Sequence, residues 1–448
     1  MAKNPETPAM NSTGPLAVVD IGSNSVRLNI YEGGRRSPAL LYNEKSICGL
    51  GRGVTENGQL APDAVSSTLG VLARFGVLIS HMGVARIEAV ATAAVREAGN
   101  GSQFVTDASQ VLGARIRVLS GGEEGRLAAL GVLSSTPDAR GIVADLGGGS
   151  LEIVVVGAGG AEQGETMPLG SLRLRDKTLE VEVARAVAED ALGQMQMLTG
   201  ARGQTLYAVG GSWRALARVH MATTGHPLQM IDGYRISALE AGRIARLVTN
   251  APAEWLRGIP GFASARQEIL PFAAVVMFVL LQRMQPENVV FSARGVREGL
   301  AFATLPEAVA AQDPLVVGCA EMAEARALDP NRVRIFADEL FAWLEGLVYT
   351  AHQPDIQQER RLRRCICLLA DIGWRAHPDF RGARSLELIA HATLTGVDHG
   401  ARAFMALAVY FSHKPRVEGE LCASLAGLVG KAALAQARKL GAALRLAE

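Results

Sequence analysis

Two short stretches of the chain place an aspartate ahead of a glycine turn and follow it with hydrogen-bond donors: DIGSNS, from Asp20 to Ser25, and DLGGGS, from Asp145 to Ser150. Glycine lets the backbone turn sharply and approach a ligand, and successive N–H groups in such a turn converge on an anion. Gly22, Ser23 and Asn24 in the first turn, and Gly147, Gly148, Gly149 and Ser150 in the second, are therefore expected to cradle phosphate, with Ser25 as a further donor. Asp20 and Asp145, at strand ends, suit Mg²⁺ held directly or through water, with phosphate oxygens completing its shell. A single turn of this kind often makes only a tight hairpin. Two matched ones point to a shared purpose.

More acids stand nearby. Glu152 lies two residues beyond Ser150, so the two share a face of the return strand. Glu123 and Glu124 follow the turn SGG (120–122) and open a helix. Acids there either complement the helix dipole or offer a general base toward water.

The elements that must position these residues are legible as patterns. Apolar, β-prone runs end in small-residue turns at LAVVDIGSNS (16–25), GIVADLGGGS (141–150) and LYAVGGS (206–212). Asp20 and Asp145 occupy equivalent places, which indicates a duplicated α/β domain. VRLNIYEG and LEIVVVGAGG are expected to return as antiparallel strands, giving a phosphate-cradling hairpin rather than a strand-to-helix turn. PDAVSSTLGVLARFGVLISHMGV (62–84) and GEEGRLAALGVLSS (122–135) read as helices. Beyond about residue 314 every periodic segment is helical. The expected organisation is a flexible leader over 1–14, one α/β domain over 15–135, a second over 136–308 and a helical domain over 309–448.

Composition narrows the classes. At roughly 150 residues per domain, 448 residues suggest about three domains. The 49% hydrophobic and 20% charged residues are those of a globular protein. Lys plus Arg (45) and Asp plus Glu (44) nearly cancel, so no basic field exists for non-specific nucleic-acid binding. An anion must be held by local devices. The five cysteines, with Cys365 and Cys367 one residue apart, form neither a disulfide framework nor a zinc pattern and read as buried thiols. The polar start MAKNPETPAMNSTGP lacks the apolar stretch of a signal peptide, and the apolar run Phe272 to Leu281 is short of the roughly 20 residues of a membrane span. The expectation is a cytoplasmic protein with no membrane contact.

DIGSNS with the following Val-Arg-Leu, ATAAVREAGN (91–100), SGGEEGRL (120–127), DLGGGSLE (145–152) and SARGVREGL (292–300) resemble the exopolyphosphatase/guanosine pentaphosphate phosphatase family, Ppx/GppA, over about residues 15 to 305. The resemblance implies two actin-like (ribonuclease H-like) α/β domains with the site in the cleft between them, followed by an all-α C-terminal domain of degenerate HD type. It assigns Glu124 as general base and Glu152 as a second essential glutamate supporting metal and water. It assigns Asp145 as metal-linked, with Asp20 as its counterpart, and Arg96 as the arginine that grips phosphate. It implies Mg²⁺, with Mn²⁺ as a substitute, and a homodimer. Gly125 stands where the family often has alanine. Ala370, in LLADIGW, stands where an HD dyad has histidine, so Asp371 alone makes no second metal centre.

The implied activity is removal of the terminal phosphate of inorganic polyphosphate. Guanosine pentaphosphate hydrolysis is the alternative within the family; an actin-like kinase and a non-catalytic guanosine tetraphosphate binder are alternatives outside it. The arginine run QERRLRRC (358–365) is either a solvated helix face or a strip guiding a polyanion. Arg173, Arg175, Arg294 and Arg297 are lesser candidates of the same kind. His377, His391, His399 and His413 fit no standard metal spacing, and Trp213 is expected to pack.

Overall fold

The computed structural model describes residues 14–162, 164–259, 267–347 and 356–447. The leader expected over 1–14 lies outside them, Gly14 apart.

The first sheet is built from β1 (Leu16–Ile21), β2 (Ser25–Tyr31), β3 (Leu40–Ile47), β4 (Arg86–Ala91) and β5 (Ile116–Val118), in the order β3-β2-β1-β4-β5. β1 and β2 are antiparallel; β4 and β5 run parallel to β1. β1 is covered on both faces, so its sequence is an unbroken apolar run ending in Asp20. The second sheet repeats the plan. β6 (Gly141–Leu146) pairs antiparallel with β7 (Leu151–Gly157) and parallel with the strand Thr205–Val209, which pairs parallel with Asn288–Phe291. Both hairpins and the third apolar run at 205–209 form as expected.

The helix expected over 62–84 runs Pro62–His81. It stops short because Gly83 takes a left-handed φ of 60°, a conformation that ends helices. It is long and apolar enough to cross a membrane by length and composition. Its apolar side, with Leu72, Phe75 and Ile79, is buried in the core of the first sheet.

Each sheet hands its last helix to the other. The helix Gly121–Ser135 leaves β5 yet packs Ala129, Val132 and Leu133 against Val143, Val154 and Val209 of the second sheet. The helix Val296–Ala303 leaves the second sheet yet packs Leu300 and Ala301 against Leu16, Val18 and Val90 of the first. The two helices cross in backbone contact. A Cβ on Gly299 would lie 1.8 Å from the Leu127 carbonyl oxygen, and one on Gly131 would lie 2.3 Å from that of Gly295.

By contacts the chain divides into a unit of residues 1–220 with 236–311 and a unit of 221–235 with 312–448. Over residues 312–448 of the second unit the described elements are helices, among them Ile356–Leu369, Arg381–Ala390 and His399–His413. The stretch 221–235 joins them through Leu228, buried in their core, and through His226, whose Nε2 is 2.8 Å from Nδ1 of His399. A division drawn straight along the sequence does not anticipate this excursion. All five cysteines are free and buried.

The arginine run divides: Arg361 and Arg363 turn inward, while the side chains of Arg360 and Arg364 stay on a solvated face, 62% and 49% exposed. Arg361 forks onto Asp313 at 2.5 and 2.9 Å, Arg363 is buried against Glu345 and Glu359, Arg360 pairs with Glu345, and Arg364 pairs with Asp338. Helix-to-helix ion pairs neutralise the patch.

Two glycine substitutions test the helix crossing. Gly299→Ala is expected to lower the melting temperature by several degrees, since overpacking against a backbone carbonyl costs about 1–3 kcal/mol. Gly70→Ala, at an exposed helical position with open space around it, is expected to stabilise by about 0.5–1 kcal/mol. Thermal unfolding by circular dichroism reads both.

Candidate active site

The two hairpins have the same turn. The Gly22 N–H donates to the Ser25 carbonyl at 3.1 Å, and the Gly147 N–H to that of Ser150 at 2.9 Å. The turns also meet. A Cβ on Gly148 would lie 3.4 Å from the Ser23 Cβ, and one on Gly149 would lie 3.5 Å from the Ser23 hydroxyl oxygen. Between them opens a solvent-accessible cavity of about 170 Å³. Asp20, Gly22, Ser23, Asn24, Glu124, Asp145, Gly147, Gly148, Gly149 and Ser150 all line it. Arg96 and Glu152, also expected at the site, stand behind this lining.

The paired glutamates divide their work. Ser120 caps the helix Gly121–Ser135, and the Glu123 carboxylate accepts from the Ser120 N–H at 2.8 Å in a capping box. Those hydrogen bonds from Ser120 hold Glu123 below the usual carboxylate range. Glu123 is thus a helix-end acid and nothing more. Glu124, one residue on, is only 8% exposed and turns to the cavity. Arg96 donates to it at 3.3 Å and to the Leu119 carbonyl at 2.7 Å, so that arginine orients Glu124 rather than facing the cavity. Gly125 is the reason the helix sits so close: a Cβ there would lie 3.0 Å from the Val154 side chain and 3.2 Å from the Glu152 Cβ.

The acids crowd one another. Burial, then Asp145, push Glu124 up to about 8 against the pull of Arg96. Burial, with Asp20 nearby, pushes Asp145 up to about 6 despite Arg214 and Arg297. Asp20 is raised by burial against Arg297 and Arg27. Glu152 is 1% exposed, and neither carboxylate oxygen finds a well-formed hydrogen bond among the described residues. Burial, Glu124 and Asp145 together raise it well above the ordinary range, against the pull of the Ser150 hydroxyl and Arg96.

Facing this acidic pole is a basic one that sequence reasoning largely missed. Arg27, Arg214, Arg297 and Lys45 line the same cavity. Burial and the neighbouring Arg297 and Arg214 depress the Arg27 guanidinium to about 10. Arg297 is anchored on the Asn29 side chain at 2.8 Å and reaches Asp20 at 3.8 Å. Glu298 beside it stays below the usual range, because Arg297 and the Gly295 N–H outweigh its burial. Arg27 had a signal in the repeat. It follows Asp20 by the offset at which Glu152 follows Asp145, and each is the cross-strand neighbour of its aspartate. Lys45 on β3 had none.

Among the described residues no three His, Cys, Asp or Glu side chains are grouped as a complete metal cage, so Asp20, Asp145 and Glu152 do not form one together. Mg²⁺ does not require a cage: it typically takes one or two carboxylates and leaves its other positions to water and phosphate. Half-buried, mutually repelling Asp20 and Asp145 on the cavity wall, with the Glu152 carboxylate behind, fit such a cation. Of the lesser candidates, Arg173 pairs with Glu97, and Arg175 pairs with Asp176 and Glu268. Trp213 packs as expected, fully buried with its N–H on the Ala273 carbonyl.

Residues 29–308 match the family model of the Ppx/GppA phosphatase family, and residues 315–448 match that of the exopolyphosphatase C-terminal domain. Among solved structures, the chain is similar to a Ppx/GppA family member from Aquifex aeolicus, at 24% identity over 64% of this chain and 96% of that one, with a TM-score of 0.56. It is also similar to an exopolyphosphatase from Cytophaga hutchinsonii, at 21% identity over 64% and 97%, with a TM-score of 0.60. These likenesses show the fold.

A stability profile tests the acidic pole. A carboxylate raised on folding contributes stability that is complete below its unfolded value, about 4.5 for glutamate, and is lost as pH rises through its folded value. In EDTA the melting temperature is therefore expected to fall between about pH 5 and pH 9, the Glu124 contribution fading through about 8. Glu124→Gln and Glu152→Gln are expected to flatten that fall and to melt above the wild type at pH 9. Parallel profiles for all three proteins would contradict the charge crowding.

Proposed function

Because the chain belongs to the Ppx/GppA phosphatase family, we propose that it is an exopolyphosphatase, releasing orthophosphate from the end of inorganic polyphosphate. The observation that carries this reading is the pairing of an acidic pole and an arginine pole across one cavity floored by two glycine hairpins. Phosphoryl transfer asks little covalent chemistry of a protein and much charge stabilisation and positioning. This cavity offers both signs of charge.

The hairpin amides and Ser23, Asn24 and Ser150 bind the oxygens of the terminal phosphoryl group. Asp20 and Asp145 would hold Mg²⁺, or Mn²⁺ in its place, and the cation would neutralise charge on the phosphate oxygens. Glu124, oriented by Arg96, takes a proton from the water whose oxygen attacks the terminal phosphorus. The bridging P–O bond breaks and the shortened chain leaves. The raised Glu124 suits this work, because a base is most effective when its pKa lies near the working pH. Glu152 lies behind Glu124, and its raised carboxyl disfavours a second negative charge there.

The choice of polyphosphate over guanosine pentaphosphate is supported by the lining, in which no described residue is aromatic. Nucleobases are commonly held by stacking on such rings. The match of residues 315–448 to an exopolyphosphatase C-terminal domain points the same way. The free cysteines accord with a reducing, cytoplasmic setting.

Phosphate release from long polyphosphate, pyrophosphate and guanosine pentaphosphate, with Mg²⁺ and with EDTA, tests the proposal. Long polyphosphate is expected to give the highest kcat/KM, and EDTA to abolish turnover. Glu124→Gln is expected to lose about 10²- to 10⁴-fold in kcat. Preference for guanosine pentaphosphate would move the assignment to the nucleotide phosphatase, and near-normal turnover by Glu124→Gln would remove the base.

A further inference from the structure

We propose that Arg173 is a specificity-determining contact for the phosphates trailing behind the terminal group, and that Glu97 holds it in reserve until substrate arrives. The inference rests on the polyphosphate reading above.

Arg173 is locked to the second hairpin. It stands in the helix Ser171–Lys177, whose first residues Ser171 and Leu172 line the cavity. The Ser171 N–H donates to the Gly147 carbonyl at 3.1 Å, and the N–H groups of Leu172 and Arg173 both donate to the Gly148 carbonyl at 3.0 Å. Gly170, just before, has no room for a side chain: a Cβ would lie 2.3 Å from the Gly148 oxygen. The backbone of Arg173 therefore moves only with the phosphate turn. Its guanidinium lies beside that turn, with Nη2 4.0 Å from where a Cβ on Gly149 would be.

The donors of Arg173 are incompletely used. Its Nη2 pairs with Glu97, while its Nε is buried and has no hydrogen-bond partner among the described residues. Buried donors without partners are rare and call for an explanation. Arg173 stands outside the lining of the cavity while it is paired with Glu97; swung off that carboxylate, the guanidinium presents Nε and Nη2 together as the fork that grips two phosphate oxygens.

Glu97 reaches across the cleft to make the pair. It ends the helix Ala93–Glu97 that follows β4 of the first sheet, and Ala93 lines the cavity, 3.2 Å from a Cβ placed on Gly149. The ion pair thus bridges the two halves at the cavity. Its side chains are 20% and 36% exposed, and pairs at such positions are worth at most about fivefold in an equilibrium. A polyphosphate chain, with a negative charge on every unit and fork geometry at its oxygens, outcompetes one carboxylate. Glu97 keeps the arginine aligned and discriminates against weakly charged ligands.

The test is KM and kcat for phosphate release from long polyphosphate and from pyrophosphate, with wild type, Arg173→Gln and Glu97→Gln. Arg173→Gln is expected to raise KM for long chains by about 10- to 100-fold, the worth of a charge-assisted hydrogen bond, with kcat within about threefold and a smaller effect on pyrophosphate. Glu97→Gln is expected to lower KM for long chains by about two- to fivefold at low salt, the gain disappearing at high salt. The proposal is overturned if both variants keep the wild-type KM, or if Arg173→Gln lowers kcat equally for both substrates. Should Arg173→Gln fail to fold, an unchanged or raised KM in Glu97→Gln overturns it alone. Absence of phosphate release by the wild-type protein would instead remove the polyphosphate reading itself, and this inference with it.

Discussion

Backbone contact between two helices governs the arrangement of everything else in the catalytic half. The helix Gly121–Ser135 crosses Val296–Ala303 at Gly131, Gly295 and Gly299, where no side chain separates the chains. Each helix continues one sheet and packs on the other. The exchange carries Glu124 over the second hairpin and Arg297 and Glu298 over the first. Without that close crossing, the acid and the arginines would belong to separate halves. Interiors pack densely enough that such a contact transmits position rather than absorbing it.

The duplicated fold makes an asymmetric site. Asp20 and Asp145 are matched in strand, turn and depth, but their cross-strand neighbours carry opposite charge, Arg27 on one side and Glu152 on the other. One half sets a cation beside its aspartate and the other a carboxylate. Each pole is strained by its own kind: burial and like charges lift Glu124 to about 8 and depress Arg27 to about 10. A ligand bringing anionic oxygens, and a cation with them, relieves both poles at once. The stability forgone in holding these charges apart from their partners is a common feature of functional sites.

The second unit uses charge differently. Arg361 and Arg363 are consumed in forks and buried pairs with Asp313, Glu345 and Glu359. Arg402, 1% exposed, donates to the carbonyls of Ile389, Ala392 and Leu394. These arginines satisfy groups that would otherwise be stranded in the interior. The inward members of a basic cluster in sequence, Arg361 and Arg363, thus proved to be internal structure, while the scattered Arg27, Arg214 and Arg297 converge on the cavity.

The strands, the hairpins, the duplication and the helical character of the last third were legible in the chain, because period, glycine placement and β-branched runs act over a few residues. Local spacing also singled out the glycine turns, Asp20, Asp145 and the pair Glu123 and Glu124. It left undivided the roles of Glu123 and Glu124: the capping box that occupies Glu123 is local, with Ser120 three residues away, but the burial that sets Glu124 apart needs the second sheet. The family resemblance, not the spacing, assigned Arg96 to phosphate; in this structure its guanidinium lies on Glu124 and the Leu119 carbonyl. Local spacing did not disclose the arginine pole, the excursion of 221–235 into the helical unit, or the neutralised arginine run. The division has a physical reason: turns and strands are decided by neighbours along the chain, whereas charge pairing and burial depend on residues brought together from hundreds of positions away, and those distances exist only after the helices have crossed.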